Sequence, residues 1–407
     1  MKKTSDFLYS CAYSFCFLII LFVPFPYHLF PIQEQLSRFL FTKPLGILSP
    51  YLFHTRYSTN AISSDSTLMY TLVILILAAT PIIALLLQRI PQTKKDKLWH
   101  FTKTTLFYFL ALQLLKYGFD KVFKTQFYLP EPNTLYTPVG MLDKDILYWS
   151  TIGTSYSYNI FAGLLEVLAG SLLLFRRTRI VALILAIGIM FHVCVLNFSF
   201  DISVKLFSLF LLFVSVLLLT PYLKSILNFF LRKKSNESLP EENQIHLVSN
   251  KSLKTGIKFF VVGLIFIEAL YPAITSGNFN DDKAERSFLH GAYQVKNVLV
   301  NDSLVPLYDF PFKRVFVHRN DYIIFQNQQD KMFDYKLEVD QIKKQLTLTD
   351  YSLKQNILKY SYSAKDSSLT FDYIEKGIKY RLQTQTLDWK KLPALKGGFH
   401  FRSDSGN

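Results

Sequence analysis

The sequence predicts an α-helical integral membrane bundle followed by a small antiparallel all-β domain, and three observations predict it. Half of the 407 residues are hydrophobic and 16% are aromatic, while only 18% are charged, below the usual quarter of a globular chain. Seven apolar stretches have roughly the 20 residues that a membrane-spanning helix needs. After the last stretch, the composition changes to short runs rich in β-branched and aromatic residues.

The seven stretches fix the expected topology. They lie near 7–26, 67–88, 101–119, 157–175, 180–199, 203–222 and 256–274. No small-residue cleavage site follows the first stretch, so we expect a retained anchor and not a signal peptide. Basic residues concentrate in alternate loops, such as the RRTR turn at 176–179, and cytoplasmic loops carry such residues. The N-terminus is therefore predicted to be cytoplasmic, in a multi-pass inner-membrane protein.

Five regions follow from this topology. Residues 1–100 hold two helices joined by an extracytoplasmic loop, 101–222 form a four-helix core, 223–255 are a cytoplasmic linker, 256–275 are the seventh helix, and 276–407 form an extracytoplasmic β domain. The net charge of +15 is explained by the loop residues, so we expect a lipid bilayer as partner and no nucleic acid.

The β domain is predicted as a meander of about eight strands that closes into a barrel or a sandwich. Its runs cover 293–300, 313–318, 321–327, 333–340, 345–350, 357–363, 368–375 and 378–384. A long aromatic and proline-rich loop, about 125–159, precedes the fourth span. We expect this loop to lie as a lid on the membrane surface.

Polar residues inside the spans mark the candidate site. At the end of the third span, Gln113, Tyr117 and Asp120 share one helical face at spacings of four and three, and Lys116 pairs with Asp120 at i, i+4. Because the span runs outward, the polar groups on this face are expected at the extracytoplasmic opening of the bundle.

Glu166 and His192 lie inside the fourth and fifth spans. A charge at the bilayer centre costs about 2.5–3.5 kcal/mol on insertion scales, so it normally faces the bundle interior with a partner. The two spans are antiparallel, and counting from their shared turn predicts that the two side chains meet, directly or through water. Asn197 and Asp201 follow further along the fifth span, so polar residues are expected from Glu166 and His192 to the extracytoplasmic surface. The alternative is that Glu166 and His192 only form hydrogen bonds that hold adjacent helices together.

Other constellations are excluded or unremarkable. Cys11, Cys16 and Cys194 lie in apolar runs without a CxxC spacing, and the β domain has no cysteine. The sequence contains no GxGxxG, Walker A, HExxH or GxSxG motif, and Glu166 with His192 does not make a metal site. Glu268, near the outer end of the seventh span, is expected to snorkel or to pair with Lys205.

Residues 101–222 resemble the DoxX-like family of four-helix membrane proteins. The resemblance rests on YGFDK (117–121), on the Gly-x-x-Glu of FAGLLEVLAG (161–170) and on HVCVLNFSFD (192–201). It implies that Lys121, Glu166 and Asn197 line the interior of the bundle. The best-described members of that family are subunits of a thiosulfate:quinone oxidoreductase, and many others have no assigned activity. The two spans before the core, the span after it and the β domain lie outside the resemblance.

Two functions of different classes are therefore expected. The first is an accessory subunit of a membrane redox system that binds a lipophilic ligand, such as a quinone, between the third, fourth and fifth spans. Glu166 and His192 would be its proton-exchanging or hydrogen-bonding groups. The second is a transporter or a lipid-binding assembly protein, which recruits a membrane or extracytoplasmic partner through its β domain. The sequence does not decide whether the protein is an enzyme.

Overall fold

A computed structural model describes residues 2–54, 62–232, 250–363 and 365–397. The chain forms two compact units: a helical unit, Met1–Gln126 with Ser157–Asn280, and a β unit, Phe127–Tyr156 with Asp281–Asn407. The chain therefore passes between the units three times. Most of the predicted cytoplasmic linker, 233–249, and the last part of the predicted β domain, 398–407, lie outside the described residues.

Ten α-helices occur in the described residues. They are α1 (Lys2–Phe22), α2 (Ile32–Phe53), α3 (Thr67–Gln88), α4 (Gln92–Val122), α5 (Pro132–Leu135), α6 (Lys144–Thr154), α7 (Tyr156–Leu173), α8 (Arg179–Ser199), α9 (Lys205–Arg232) and α10 (Lys251–Ser276). Five of them, α3, α7, α8, α9 and α10, are long and apolar enough to cross a membrane, whereas α1 has a shorter apolar stretch. This is the composition of a membrane protein, with five such helices where the sequence predicted seven spans.

Ring contacts fix the relative directions of the long helices. Tyr13 of α1 lies beside Trp99 of α4, with 5.8 Å between ring centroids, and Phe25 after α1 lies beside Phe109, at 5.2 Å. Residue numbers rise together along both helices, so α1 and α4 are parallel. Phe207, in the first turn of α9, contacts Phe25 at 5.6 Å. Helix α9 therefore begins where α1 ends.

The chain passes between the units at one end of the helical unit. Phe123 and Phe279, which follow α4 and α10, are 5.3 Å apart between ring centroids. The carboxylate of Asp65, just before α3, accepts hydrogen bonds from the backbone N–H groups of Lys205 and Leu206, and so caps α9. We call this end, where α1, α4 and α10 finish and α3, α7 and α9 begin, the distal end.

Helix α2 corrects one expectation, because the sequence analysis placed a loop between the first two spans. Its first turns hold Gln33, whose side-chain amide donates to the carbonyl of Val23 at 2.7 Å, at the end of α1. Its last residue, Phe53, contacts Tyr70 in the first turn of α3, with 6.4 Å between ring centroids. Both ends of α2 therefore lie at the distal end.

The β unit contains a closed antiparallel barrel. Its strands are β1 (Gly291–Val300), β2 (Ser303–Val305), β3 (Phe312–His318), β4 (Tyr322–Asn327), β5 (Met332–Asp340), β6 (Gln345–Thr349), β7 (Gln355–Ser363), β8 (Ser368–Glu375) and β9 (Ile378–Leu387). Eight strands follow each other as a meander from β1 and β3 to β9, and β9 pairs with β1 to close the barrel. Short β2 pairs only with the end of β1. The prediction of about eight strands is confirmed, and of the two predicted arrangements the barrel is present.

The barrel strands are apolar on both faces at one side. On β3, Val315 and Val317 belong to the inner core, whereas Phe316 between them points to the opposite face because side chains alternate along a strand. Phe316 is fully buried nonetheless, and the ring of Tyr136 stacks on it at 5.8 Å. Trp389, after β9, joins the same outer cluster.

The segment Phe127–Tyr156 supplies this outer cover. Its Leu129, Leu135 and Tyr136 pack against the outer cluster on the barrel. These three residues of the loop therefore pack on the outside of β1, β3 and β4, and its placement on a membrane surface stays a prediction. The β unit comprises this earlier segment together with the chain from Asp281 onward.

Candidate functional site

Helices α4 and α7 touch through their backbones. A Cβ atom built on Gly163 of α7 would lie 2.7 Å from the carbonyl oxygen of Gly118 and 2.9 Å from the backbone nitrogen of Val122, both on α4. One built on Gly170 would lie 3.0 Å from the carbonyl oxygen of Ala111. Only glycine fits at such distances, and small residues allow this close approach in membrane helices.

Glu166 lies on the same face of α7, three residues after Gly163 and four before Gly170. Its Oε2 atom is 2.9 Å from Nζ of Lys121 on α4, and both side chains are buried. The ammonium group of Lys121 also lies over the ring of Tyr117, 5.7 Å from its centroid. Of the predicted site residues, the structure therefore brings together Tyr117, Lys121 and Glu166.

The predicted meeting of Glu166 and His192 is not present. His192 is exposed on α8, whereas Glu166 faces α4. Counting depth from the shared turn located the two residues along their helices but ignored the face on which each one lies. Because Gly163 and Gly170 bring α7 against α4, Glu166 on the same face must meet α4.

The other predicted site residues are spread over the helical unit. Gln113 is buried on α4, and Asp120 accepts a hydrogen bond from Oγ1 of Thr125 at 3.2 Å. Asn197 is buried near the end of α8. Asp201 is exposed and pairs with Lys205 at 2.7 Å.

A second buried carboxylate has a different partner from the expected one. Glu268 of α10 was expected to pair with Lys205, but it lies 3.3 Å from Nζ of Lys116. It also accepts hydrogen bonds from the backbone N–H groups of His28 and Leu29, at 2.9 and 2.8 Å. Lys116 is therefore not the i, i+4 partner predicted for Asp120; it joins α4, α10 and the connection between α1 and α2.

The β unit holds a buried ionic cluster that the sequence analysis missed. Arg319, in the turn between β3 and β4, donates from Nε to Glu131 at 2.6 Å and from a terminal nitrogen to Asp281 at 2.6 Å. Arg286 also binds the Asp281 carboxylate, at 2.8 Å, and Nε2 of His290 lies 2.9 Å from Glu131. We call these five residues the β-unit ionic cluster.

The cluster has perturbed pKa values with identifiable causes. Burial alone would raise the pKa of Glu131, but hydrogen bonds from His290 and Arg319 outweigh it and hold the pKa at about 2. Burial also opposes ionisation of Asp281, yet Arg286 and Arg319 lower its pKa below the ordinary value. Burial lowers the pKa of nearby His318. The carboxylates are therefore ionised and neutralised by arginine at neutral pH.

The cluster connects the two chain segments of the β unit. Glu131 belongs to the early segment, and its partners follow 159 and 188 residues later in the sequence. The ring of Tyr128, also early, lies under the guanidinium of Arg319 at 3.9 Å. No local sequence pattern links residues so far apart, so the cluster could not be predicted from local patterns.

A polar side chain in the barrel wall adds a further connection. Gln326 of β4 has no exposed surface, and its amide donates to the backbone carbonyl of Tyr136 at 3.0 Å and to Asp330 at 2.9 Å. Its carbonyl oxygen accepts from Arg314 at 3.0 Å. The early segment is thus fixed to the barrel by charge, hydrogen bonds and apolar packing together.

These arrangements limit the chemistry that the protein supports. Within residues 2–54, 62–232, 250–363 and 365–397, no group of three or more His, Cys, Asp or Glu side chains is placed to hold a metal ion. Glu166 is paired with Lys121, and the backbone contacts at Gly163 and Gly170 leave no space for a quinone ring between α4 and α7 beside it. The residues present do not fit a quinone at this contact.

One known relative is similar to the chain. The protein of Bacillus subtilis (strain 168) called "Uncharacterized protein YwoB" is 32% identical to it over 111 residues, which are 27% of this chain and 70% of that protein. No family model and no solved structure matches the chain.

Proposed function

We propose that this chain, which belongs to the family of YwoB, is a membrane-anchored assembly protein that recruits a protein partner through its β unit. The observation that carries this proposal is a group of exposed apolar residues at one end of the barrel. They lie in the connection between β1 and β3, in the turn between β6 and β7, and at the end of β8: Tyr308, Tyr351, Leu353 and Ile374. We call this group the far rim.

The far rim is the barrel end opposite the β-unit ionic cluster. In the meander, β1, β4, β6 and β8 end at the far rim, whereas the turn with Arg319 lies at the other end. Each far-rim side chain is more than 70% exposed, although the strands below it are well packed. Exposed apolar residues gathered at one end of a folded domain indicate an interaction site, so the far rim is the surface at which we expect the partner.

The internal arrangement of the helical unit supports an anchor role. Its buried carboxylates, Glu166 and Glu268, are neutralised by Lys121 and Lys116 on α4. The α4–α7 contact is also closed by backbone packing at Gly163. A ligand site of the redox or transport kind needs space and ionisable groups that are not already satisfied. Both ion pairs are better explained as polar contacts that join helices.

Three chain connections at the distal end support a display role. The chain enters the β unit after α4 and after α10, and it leaves the β unit into α7. With the N-terminus in the cytoplasm, as the basic loops predict, the distal end and the β unit face the extracytoplasmic side. The DoxX-like resemblance is compatible with this anchor role, because it concerns the helices alone.

Site-specific photocrosslinking in cells tests the proposal. A photoreactive amino acid replaces Tyr308, Tyr351 or Ile374, each in turn, and the products are separated after irradiation. We expect the same crosslinked protein from all three far-rim positions. The matched control is Ile342, which is 95% exposed in the turn between β5 and β6 at the opposite end of the barrel, and it should give no such product.

The redox alternative has a separate readout. Mass spectrometry of gently purified protein measures retained quinone, and a redox subunit would hold it in a fixed molar ratio that falls in Glu166→Gln. Our proposal expects no such ratio. Crosslinking from Ile342 as strong as from the far rim would contradict recruitment through the far rim, and stoichiometric quinone would return the helical unit to a ligand-binding role.

A further inference from the structure

Helix α2 has its apolar face turned away from the protein. Its buried residues are Ser37, Leu45 and Ser49, two of which are polar. Large apolar side chains recur on the other face at spacings of three and four residues, and all of them are exposed: Ile32, Leu36, Phe39, Leu40, Ile47, Leu48, Tyr51 and Leu52. In water this arrangement would be unfavourable, because burying one such side chain contributes about 1.5–3 kcal/mol of stabilising free energy.

The inner face of α2 completes the end of α1. The last carbonyl groups of a helix have no partners within it. At the end of α1, the side chain of Gln33 donates to the carbonyl of Leu21 at 3.1 Å and of Val23 at 2.7 Å, and the hydroxyl of Ser37 donates to the carbonyl of Phe22. The first half of α2 therefore lies at the level where α1 ends.

The far end of α2 lies at a similar level. Phe53 contacts Tyr70 in the first turn of α3, and α3 runs antiparallel to α1 because it leads into α4 through a turn of three residues, 89–91. A helix of 22 residues is about 33 Å long. Because its two ends meet the ends of α1 and α3 on the same side, α2 runs across the distal end and does not cross the membrane.

We propose that α2 is an interfacial membrane helix, whose exposed apolar face lies among the lipid acyl chains at the distal surface of the bilayer. The neighbouring span α3 also exposes large apolar side chains, among them Leu77, Ile82 and Leu85. An interfacial helix needs such an apolar face, with aromatic and basic residues near the head groups. Tyr51 and Lys43 on α2 meet this requirement.

Lipid explains the face better than a second copy of this chain does. The exposed residues extend over five turns of helix, and the two polar exceptions, Gln35 and Lys43, are long enough to reach the head groups. The prolines at 44 and 50 lie within the helix, and its arginine, Arg38, is neutralised by Glu34 at 2.9 Å. A continuous apolar strip with one unpaired basic residue is suited to a bilayer surface.

Depth-dependent fluorescence quenching tests the proposal. The full chain, with its cysteines at positions 11, 16 and 194 replaced by alanine, receives one new cysteine for an environment-sensitive dye: Phe39→Cys or Ile47→Cys. The protein is reconstituted in phosphatidylcholine vesicles that contain lipids with a nitroxide either near the head group or deep in the acyl chain. Controls are Leu77→Cys, within the span α3, and Ser352→Cys, exposed in the β unit.

We expect dyes at positions 39 and 47 to lose more emission to the shallow nitroxide than to the deep one, and the dye at position 77 to show the reverse. The dye at position 352 should respond to neither, and only to aqueous iodide. Stronger quenching by the deep nitroxide at both α2 positions would overturn the proposal in favour of a spanning helix. Quenching by iodide alone, or energy transfer between copies without lipid quenching, would overturn it in favour of water or of a second copy.

Two features keep this test independent of the function proposed above. The labelled positions are exposed, so the substitutions remove no internal packing, and a second position guards against a single misfolded variant. A far rim that fails to recruit a partner would leave the depth of α2 unchanged. The circular dichroism spectrum of each variant, compared with that of the cysteine-free parent, shows whether it has folded.

Discussion

The helical unit and the β unit both bury charged side chains, but they neutralise them differently. In the helical unit, Lys121 and Glu166 are held together by two helices that touch through glycine. In the β unit, Arg319 bridges two carboxylates, Glu131 and Asp281, that come from different chain segments. The first arrangement needs only the local geometry of two helices, whereas the second needs the whole β unit to be assembled.

This difference predicts how much stability each unit loses when one charged side chain is removed. Removing one member of a buried ion pair leaves the other charge without compensation and destabilises the fold. The loss of stability is expected to be larger when the removed residue neutralises two charges than when it neutralises one. Loss of Arg319 takes one partner from each of two carboxylates, which keep Arg286 and His290, and removes a contact between two chain segments. Loss of Lys121 removes the partner of one carboxylate within a contact of two helices. The β unit is therefore expected to be the more fragile of the two.

The largest effect is expected for Arg319→Leu. It leaves Glu131 and Asp281 buried beside each other without their shared arginine, so the β unit should lose about 3–5 kcal/mol of stability. Hydrogen-exchange mass spectrometry on the full chain in detergent measures this as faster exchange in Phe127–Tyr156 and in the strands, with the helices unchanged.

The control is Arg381→Leu, which breaks a pair with Asp372 at 2.6 Å in which both side chains are about one-third exposed. An exposed pair contributes about 0–1 kcal/mol. Equal effects of the two substitutions would show that the ionic cluster does not hold the β unit together.

Acid should weaken the β unit next most strongly. Glu131 has a folded pKa of about 2, below its ordinary value of 4.5, so its contribution is complete above pH 4.5 and is lost as the pH falls towards 2. By linkage this is about 3 kcal/mol. The lowered pKa of His318 acts in the same direction, since its contribution is present above pH 6.5 and declines below it.

Thermal unfolding followed by the strand signal in circular dichroism, between pH 7 and pH 3, measures the loss. Glu131→Gln removes the titrating group and should flatten the pH dependence below 4.5 while lowering stability at neutral pH. A wild-type melting temperature that is constant from pH 6 to pH 3 would contradict the assigned pKa of Glu131.

The two regions also differ in how far the sequence predicted them. The strands and most long helices were predictable from local patterns, because alternation and apolar length act over fewer than 30 residues. Helix α2 was missed because Gln33, Arg38 and the prolines at 44 and 50 interrupt its apolar pattern, although its exposed residues keep the helical period.

The site shows the same limit. The partner of Glu166 was within reach of the sequence, since Gly163 and Gly170 mark the face of α7 that carries it. The β-unit ionic cluster was not, because Glu131 meets His290 and Arg319 only after the barrel has closed. Contacts between distant segments depend on the assembled fold, and one sequence does not reveal them.

A double-mutant cycle on the helical pair tests the simpler arrangement. Lys121→Met and Glu166→Gln should each cost about 1–3 kcal/mol, because each leaves a buried polar group without its partner. The double variant should cost less than the sum, since neither group is then abandoned. Thermal unfolding in detergent, followed by the helical signal, measures all three. Strict additivity would contradict the pair.

The smallest effect is expected for His192→Ala, which tests the same pair from the other side. Substitutions at exposed positions without special contacts usually change stability by less than about 0.5 kcal/mol. His192 is exposed on α8, and α8 takes no part in the contact between α4 and α7. Combined with Glu166→Gln, it should therefore give the effect of Glu166→Gln alone, whereas Lys121→Met combined with Glu166→Gln should not be additive. The same unfolding measurement compares the two cycles directly. If His192 and Glu166 were coupled and Lys121 and Glu166 were not, the carboxylate would face α8 in the membrane, and the closed anchor inferred from the glycine contact would have to give way to a site between α7 and α8.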